Sequence, residues 1–177
     1  LRPDPYTPYP YTWWITPSGN AEQTRFADLG TFSPMEQQWF RELPLDHDMQ
    51  LVMGNERVVV IDDEMVIGLD AITGETYWET RLGQFATAAP TLFYTDDNTY
   101  AAIPTDGDGL TTIESWGATS FWRIAAETIT GTIRTPLTQS NHGQLYGVTD
   151  AGYLYVFDPY TGEFEYDWLT DDELTLS

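Results

Sequence analysis

The chain has 177 residues, 41% hydrophobic and 15% aromatic, enough for one ordinary domain with a sizeable core and too apolar for a disordered tail. Its 28 acidic and 7 basic residues give a formal charge of 21 negative, and no lysine is present; the cations Arg2, Arg25, Arg41, Arg57, Arg81, Arg123 and Arg134 are scattered singly. Nucleic-acid backbones and anionic lipid are therefore disfavoured, and basic partners or cations favoured. Cysteine is absent, which excludes disulfides, thiolate nucleophiles, zinc-thiolate sites and iron–sulfur clusters.

Abundant acid without lysine resembles proteins of high-salt organisms, whose carboxylates hold a hydration layer while salt screens their repulsion. An acidic habitat, or an ordinary acidic surface, are the alternatives. No run is long and apolar enough to span a bilayer, the longest aliphatic stretch being Val58 to Ile61. The first residue is Leu1 rather than Met, so a signal, anchor or upstream domain is expected before it, although an expression boundary would look the same.

Residues 1–20, LRPDPYTPYPYTWWITPSGN, hold five prolines, which disfavour helix and central strand because proline lacks a donor and fixes φ. An extended arm is expected. Its rings, Tyr6, Tyr9, Tyr11, Trp13 and Trp14, need an apolar surface, either on their own domain or on a partner, and are the candidate partner-binding residues. From residue 21 the chain becomes short β segments punctuated by Gly, Asp, Asn and Thr. One exception is Ser33 to Leu43, where Ser, Pro and Glu in sequence would suit one helical turn.

Leu69-Asp70-Ala71-Ile72-Thr73-Gly74-Glu75-Thr76-Tyr77-Trp78 recurs as Phe157-Asp158-Pro159-Tyr160-Thr161-Gly162-Glu163-Phe164-Glu165-Tyr166. The two aspartates lie 88 residues apart, and Glu114, in Ile113-Glu114-Ser115-Trp116-Gly117-Ala118-Thr119-Ser120-Phe121-Trp122, lies 44 from each. In every copy an aromatic residue stands eight positions after the acid: Trp78, Trp122 and Tyr166. Upstream, Ala89 to Leu92 with Thr99 to Ile103 parallels Thr135 to Thr138 with Gln144 to Val148, each followed by a Gly/Asp turn at Asp106 to Gly109 or Asp150 to Gly152. Val58 to Ile61, Asp62 to Glu64 and Met65 to Leu69 give the same strand, turn, strand succession earlier.

A period of about 44 made of short strands and tight turns predicts an all-β fold of four-stranded antiparallel β-propeller blades, with neighbouring sheets covering both faces of each. The expected division is an extended arm at 1–20, blades at 21–43 (partial), 44–82, 83–127 and 128–169, and an acidic tail at 170–177. In each unit the acid is placed to cap the turn after it, Gly to supply a positive φ, and the later ring to wedge between blades.

DAITGETYW and YLYVFDPYTGEF resemble the Asp-x-x-Thr-Gly-x-x-x-Trp docking motif of pyrroloquinoline-quinone-type propeller repeats. The resemblance covers roughly residues 44–169. A degenerate earlier copy is possible at Arg25 to Leu43, where Asp28 and Trp39 stand eleven apart. It designates Asp70, Thr73, Gly74, Trp78, Glu114, Trp122, Asp158, Thr161, Gly162 and Tyr166 as blade-docking residues. The middle copy departs from the motif, with Glu114 for Asp and Gly117-Ala118 for Thr-Gly, and the last copy ends in Tyr166 rather than Trp. Members of the family close rings of about seven or eight blades, so this chain is expected to have its ring completed by a protein partner, by a second copy, or by the rest of a longer chain.

Enzymatic relatives bind a quinone and calcium on the propeller axis and use a catalytic Asp. No catalytic or cofactor-binding set of that kind is legible here. Asp96, Asp97, Asp106 and Asp108 are weak candidates for calcium, since their spacing does not fit the usual calcium loop and Asp/Gly hairpin turns explain them more simply. The acids at Asp62 to Glu64 and Asp171 to Glu173 read as solvated loops. His47 and His142, the chain's two histidines, sit in unlike contexts, DHD and SNHG, with no triad or metal pair.

The resemblance therefore implies a non-catalytic interaction scaffold in an exported, periplasmic or surface complex, as in the periplasmic propeller lipoprotein of outer-membrane barrel assembly. The alternatives are a fragment or subunit of a quinoprotein dehydrogenase, and a structural part of a surface layer, filament or membrane-associated assembly in a salt-adapted organism.

Overall fold

A computed structural model of the chain describes residues 39–43, 49–95, 98–140 and 142–169, with side chains described as far as residue 164. Among these residues twelve strands form three four-stranded antiparallel sheets in simple meander order. Sheet 1 comprises β1 (Gln50–Gly54), β2 (Arg57–Asp62), β3 (Met65–Asp70) and β4 (Thr76–Arg81). Sheet 2 comprises β5 (Thr91–Tyr94), β6 (Thr99–Pro104), β7 (Leu110–Glu114) and β8 (Ser120–Ile124), and sheet 3 comprises β9 (Thr138–Gln139), β10 (Leu145–Val148), β11 (Tyr153–Phe157) and β12 (Phe164–Leu169). The aromatic arm with Tyr6, Tyr9, Tyr11, Trp13 and Trp14, most of the partial repeat including Asp28, and the acidic tail lie outside the described residues. Of the helical turn expected over 33–43, only 39–43 is described, and it is not helical; Trp39 and Arg41 are engaged on sheet 1 instead.

The strands are those the apolar pattern demands. Arg-Val-Val-Val-Ile-Asp in β2 is buried at every position, because period-2 alternation sends its neighbours to opposite faces and both faces are covered. Val59 and Ile61, with Val52 and Val66, meet Leu92, Ala101, Ile103 and Ile113 of sheet 2. Val58 and Val60, with Ile67 and Leu69, face the other way, against Leu43. Between sheets 2 and 3, Phe93, Ala102, Leu110 and Ile124 meet Leu137, Leu145, Tyr155 and Phe157. The seams also carry polar ties near the first strands: Thr91 Oγ1 donates to the Leu137 carbonyl at 2.9 Å, and Asn55 Nδ2 to Thr99 Oγ1 at 3.1 Å.

Register in all three sheets shifts between the third and fourth strands, near the turn that follows Asp70, Glu114 or Asp158. In sheet 1, Gly68 opposes Trp78 while Leu69 opposes Thr76, which leaves Tyr77 as the extra residue. Such a bulge bends the outer strand and re-aims the side chains beside it, and the Trp78 ring lies over Gly68, its partner on β3.

Burial dominates over surface charge in holding these sheets together. A fully buried Leu, Ile or Val contributes about 1.5–3 kcal/mol, whereas exposed ion pairs such as Arg81–Glu64, Arg123–Asp108 and Arg134–Asp150 are worth about 0–1 kcal/mol each. Leu92→Ala, in the seam between sheets 1 and 2, is expected to cost about 2–5 kcal/mol in urea unfolding, and Arg81→Ala less than about 1 kcal/mol. Equal effects would show that the seam is not the source of stability.

Candidate functional site

The residues that the sequence pattern sets apart meet at the seams between sheets. In sheet 1 the Asp70 carboxylate accepts the Ile72 and Thr73 amides on Oδ1, both at 2.8 Å, while the Gly74 amide donates to the Asp70 carbonyl at 2.9 Å. Sheet 3 repeats this: Asp158 Oδ1 accepts the Tyr160 amide at 2.8 Å and the Thr161 amide at 2.9 Å, and the Gly162 amide donates to the Asp158 carbonyl at 2.9 Å. The hydroxyls of Thr73 and Thr161 accept the amides of Glu75 and Glu163. A short acid and a threonine three residues later thus satisfy a tight turn locally.

Each finished turn is a socket. The indole N–H of Trp122 in β8 donates to the Pro159 carbonyl at 2.9 Å, and its ring lies so close over Gly162 that a Cβ there would stand 2.7 Å from ring carbon Cε3. Trp78 in β4 donates to the Ser115 carbonyl at 2.9 Å, and both Trp78 and Ala118 pack against the core between sheets 1 and 2. Trp39 donates to the Ala71 carbonyl at 3.0 Å and covers Gly74, while Arg41 donates to the Gly74 carbonyl at 2.9 Å. Tyr166 pairs with Val156 at the register where Trp78 pairs with Gly68.

The middle socket is made differently. Glu114, one methylene longer than Asp, accepts from Asn98 Nδ2, and the Gly117 and Ala118 amides reach the Glu114 carbonyl at 3.5 and 3.3 Å, longer than the 2.9 Å of the other two turns. Ala118 occupies the place of Gly74 and Gly162 and shares their left-handed backbone, φ 56° against 74° and 73°. An L residue pays for that conformation and glycine does not.

Arg57 was not marked by the motif, yet it joins sheets 1 and 2. Its side chain is 2% exposed, its guanidinium carbon lying 3.8 Å from the Tyr77 ring centre and 3.4 Å from that of Trp116. Nη1 donates to the Glu56 carbonyl at 2.9 Å and stands 3.4 Å from Asp70 Oδ2, which also accepts the Tyr77 hydroxyl at 2.9 Å. The two rings and the carboxylate compensate part of the cost of burying this cation, whose Nε is left without a hydrogen-bond partner. In sheet 2, Tyr100 takes the register place of Arg57 and stacks on Phe121 at 4.2 Å.

The backbone amide of Thr73 first, with that of Ile72 and the Tyr77 hydroxyl, holds the Asp70 carboxyl below its ordinary range despite partial desolvation. The Thr132 amide, followed by Arg134, does the same for Asp150. Of the weak calcium candidates, Asp106 accepts the Phe85 amide at 3.0 Å and Asp108 lies 3.3 Å from Arg123, while Asp96 and Asp97 lie outside the described residues. Among the described residues no group of three or more His, Asp or Glu is placed to hold a metal ion. His142 sits in an exposed turn whose amide donates to Ser140 Oγ, and His47 lies outside the described residues.

Four-stranded meanders joined by tryptophan into turn sockets are the blades of one architecture. The fold is a β-propeller. Quinohemoprotein alcohol dehydrogenase ADHIIG from Pseudomonas putida HK5 is similar over 90% of this chain and 27% of its own, with 16% identity and a TM-score of 0.64. BamB from Moraxella catarrhalis is similar over 68% of this chain and 34% of its own (15%, TM-score 0.57), and quinohemoprotein alcohol dehydrogenase from Comamonas testosteroni over 67% and 26% (17%, TM-score 0.55). The chain spans about a third or less of these proteins. No protein-family model and no curated protein sequence matches it. These neighbours agree with the quinone-type propeller resemblance of the repeat.

Replacing the strained alanine by glycine, Ala118→Gly, is expected to stabilise the protein by about 0.5–1 kcal/mol, the αL penalty less the entropy of glycine. Gly162→Ala is expected to destabilise it by about 1–3 kcal/mol through collision with Trp122. Urea midpoints check both signs. Because Asp70 and Asp150 bind protons less readily folded than unfolded, their contribution is complete above the ordinary aspartate range, about pH 4, and is lost as pH falls through their depressed folded values. The urea midpoint of Asp70→Asn is therefore expected to fall less steeply below about pH 4 than that of the parent, and parallel curves would remove Asp70 from the acid limb.

Proposed function

We propose that the chain is an arc of a β-propeller that serves as a non-catalytic interaction scaffold, completed by further polypeptide, in an exported, periplasmic or surface complex. One observation carries this reading. On β10 and β11, Tyr146, Val148 and Leu154 hold the register positions that Val59, Ile61 and Val66 hold in sheet 1. In sheet 1 those positions are sealed against the next sheet, Ile61 being 2% exposed, whereas Val148 is 43% exposed. An apolar sheet face at that register is suited to receive another protein surface.

The charge supports a partner of basic or cation-buffered character. Every arginine among the described residues is engaged within the fold, which leaves the net field to carboxylates. No helix among the described residues is long and apolar enough to cross a membrane, and placement outside the cytoplasm belongs to this proposal. A second reading, part of a quinoprotein dehydrogenase, is favoured by the 90% of the chain that aligns with the Pseudomonas putida enzyme.

The test is the natively isolated particle, measured by light scattering at high and low salt, with intact-mass spectrometry of every chain and an absorption spectrum. A particle containing other protein chains and no quinone absorbance is expected. Quinone absorbance with alcohol oxidation would replace the scaffold by the dehydrogenase, and a lone folded particle with the mass of a single 177-residue chain would sink both.

A further inference from the structure

The two ends of the sheets differ in charge. Antiparallel meander order puts the β1–β2 and β3–β4 turns, with their counterparts in sheets 2 and 3, at one end. The β2–β3 turn, its counterparts and the connections between sheets lie at the other. Seam contacts keep the first end common to all three sheets, Asn55 being bonded to Thr99 and Gln139 Nε2 reaching the Tyr94 carbonyl at 3.4 Å. At the second end a carboxylate is answered in every sheet: Glu64 by Arg81, Asp108 by Arg123 and Asp150 by Arg134. At the first end Glu56, Glu75 and Glu163 are exposed and make no ion pair among the described residues. The arginines there are committed, Arg57 between rings and Arg41 on the Gly74 carbonyl.

The same end is apolar at one position of the repeat. Two places after the acid stand Ile72, Trp116 and Tyr160, which are 67%, 43% and 49% exposed. Single exposed apolar residues are ordinary, but large ones at the same place in three successive repeats form a row. The turns do not need these side chains, since their hydrogen bonds at this position use the backbone amides of Ile72 and Tyr160. Trp116 shows what such a ring can hold, with the Arg57 guanidinium carbon 3.4 Å from its centre. The cation–ring contacts among the described residues are those of Arg57; at the next seam Tyr100 stands in the register place of Arg57, so Tyr160 receives no such cation from the fold.

We propose that this end of the arc binds an extended segment of a partner protein in which arginine or lysine is interleaved with apolar side chains. The apolar groups lie on Ile72, Trp116 and Tyr160, and the cations meet Glu56, Glu75, Glu163 and the Tyr160 ring. Packed sheets stand about 10 Å apart, so the row runs about 20 Å, the reach of about six extended residues. Nucleic acid and anionic membrane are opposed by the same carboxylates. The inference rests on the scaffold reading and names its surface and partner chemistry, using neither the exposed face of sheet 3 nor closure of a ring.

Photo-cross-linking in the native particle tests it. The photoreactive residue p-benzoylphenylalanine is placed at position 72 or 160, or at position 85 as a reference, because Phe85 is 55% exposed and lies in the connection at the other end. Mass spectrometry of the digested products locates the adducts. Positions 72 and 160 are expected to capture one segment of another protein, rich in Arg or Lys and apolar residues, with a yield at least about tenfold above position 85. Glu75→Gln combined with Glu163→Gln is expected to lower that yield at least about threefold. Adducts to this chain's own residues would overturn the proposal, because the chain would then cover that end itself. Capture of an acidic segment, nucleic acid or lipid would overturn it too, as would a yield indifferent to the two glutamate changes. A particle that contains other chains but gives no adduct at 72 and 160 leaves the scaffold standing and removes this surface, whereas a lone chain removes both.

Discussion

The architecture depends on one contact made again and again: an indole N–H reaching a backbone carbonyl in a turn that belongs to the next sheet, with the ring of Trp39 and of Trp122 lying over a left-handed glycine. In sheets 1 and 3 the turn that offers the carbonyl is itself held by the acid and threonine side chains, which satisfy the neighbouring amides. The contact also needs a residue without bulk under the ring. Local turn chemistry and long-range packing are thus specified by the same few residues, which is the agreement across levels that gives a sequence a single fold.

That coupling explains what the sequence revealed. A turn capped by its own acid leaves a compact signature, Asp70 to Gly74 and again Asp158 to Gly162, and the ring eight residues on is separated from it by nothing but the bulge and one strand step. The period of 44, the strands β2 and β3, and the departures at Glu114 and Ala118 were all legible for that reason. Arg57 was not, because its partners Tyr77 and Trp116 lie on different sheets and enter the motif as variable positions; a lone arginine opening an apolar strand in a chain with few cations was the available sign. Trp39 was visible only as a degenerate repeat at the wrong spacing from Asp28, since its role is set by the turn of sheet 1 rather than by anything near it in sequence. The aromatic arm and the side chain of Tyr166 fall outside the described residues and side chains.

Charge plays a second, separate part. Among the described residues the arginines are spent on internal work: Arg41 on a turn carbonyl, Arg57 between rings, and three others on neighbouring carboxylates. Sheets 1 and 2 even solve the same register position differently, with a cation on a tyrosine within sheet 1 and a stacked tyrosine–phenylalanine pair within sheet 2. Added salt weakens surface repulsion among carboxylates far more than it weakens a desolvated cation between two rings. An acidic exterior and a salt-insensitive interior are therefore compatible in one chain.

Sheet 2 holds the least favourable turn, with an alanine in left-handed geometry and the longest turn hydrogen bonds, and it is also the sheet with seams on both sides. A row of sheets that touch only their neighbours behaves as a one-dimensional array in which each junction has its own compliance. The junction that rests on the Glu114 turn has the longest turn bonds of the three, and it is also the one that Arg57 crosses to reach the Trp116 ring. An irregular turn in the middle repeat is thus tolerated where a second contact holds the same seam.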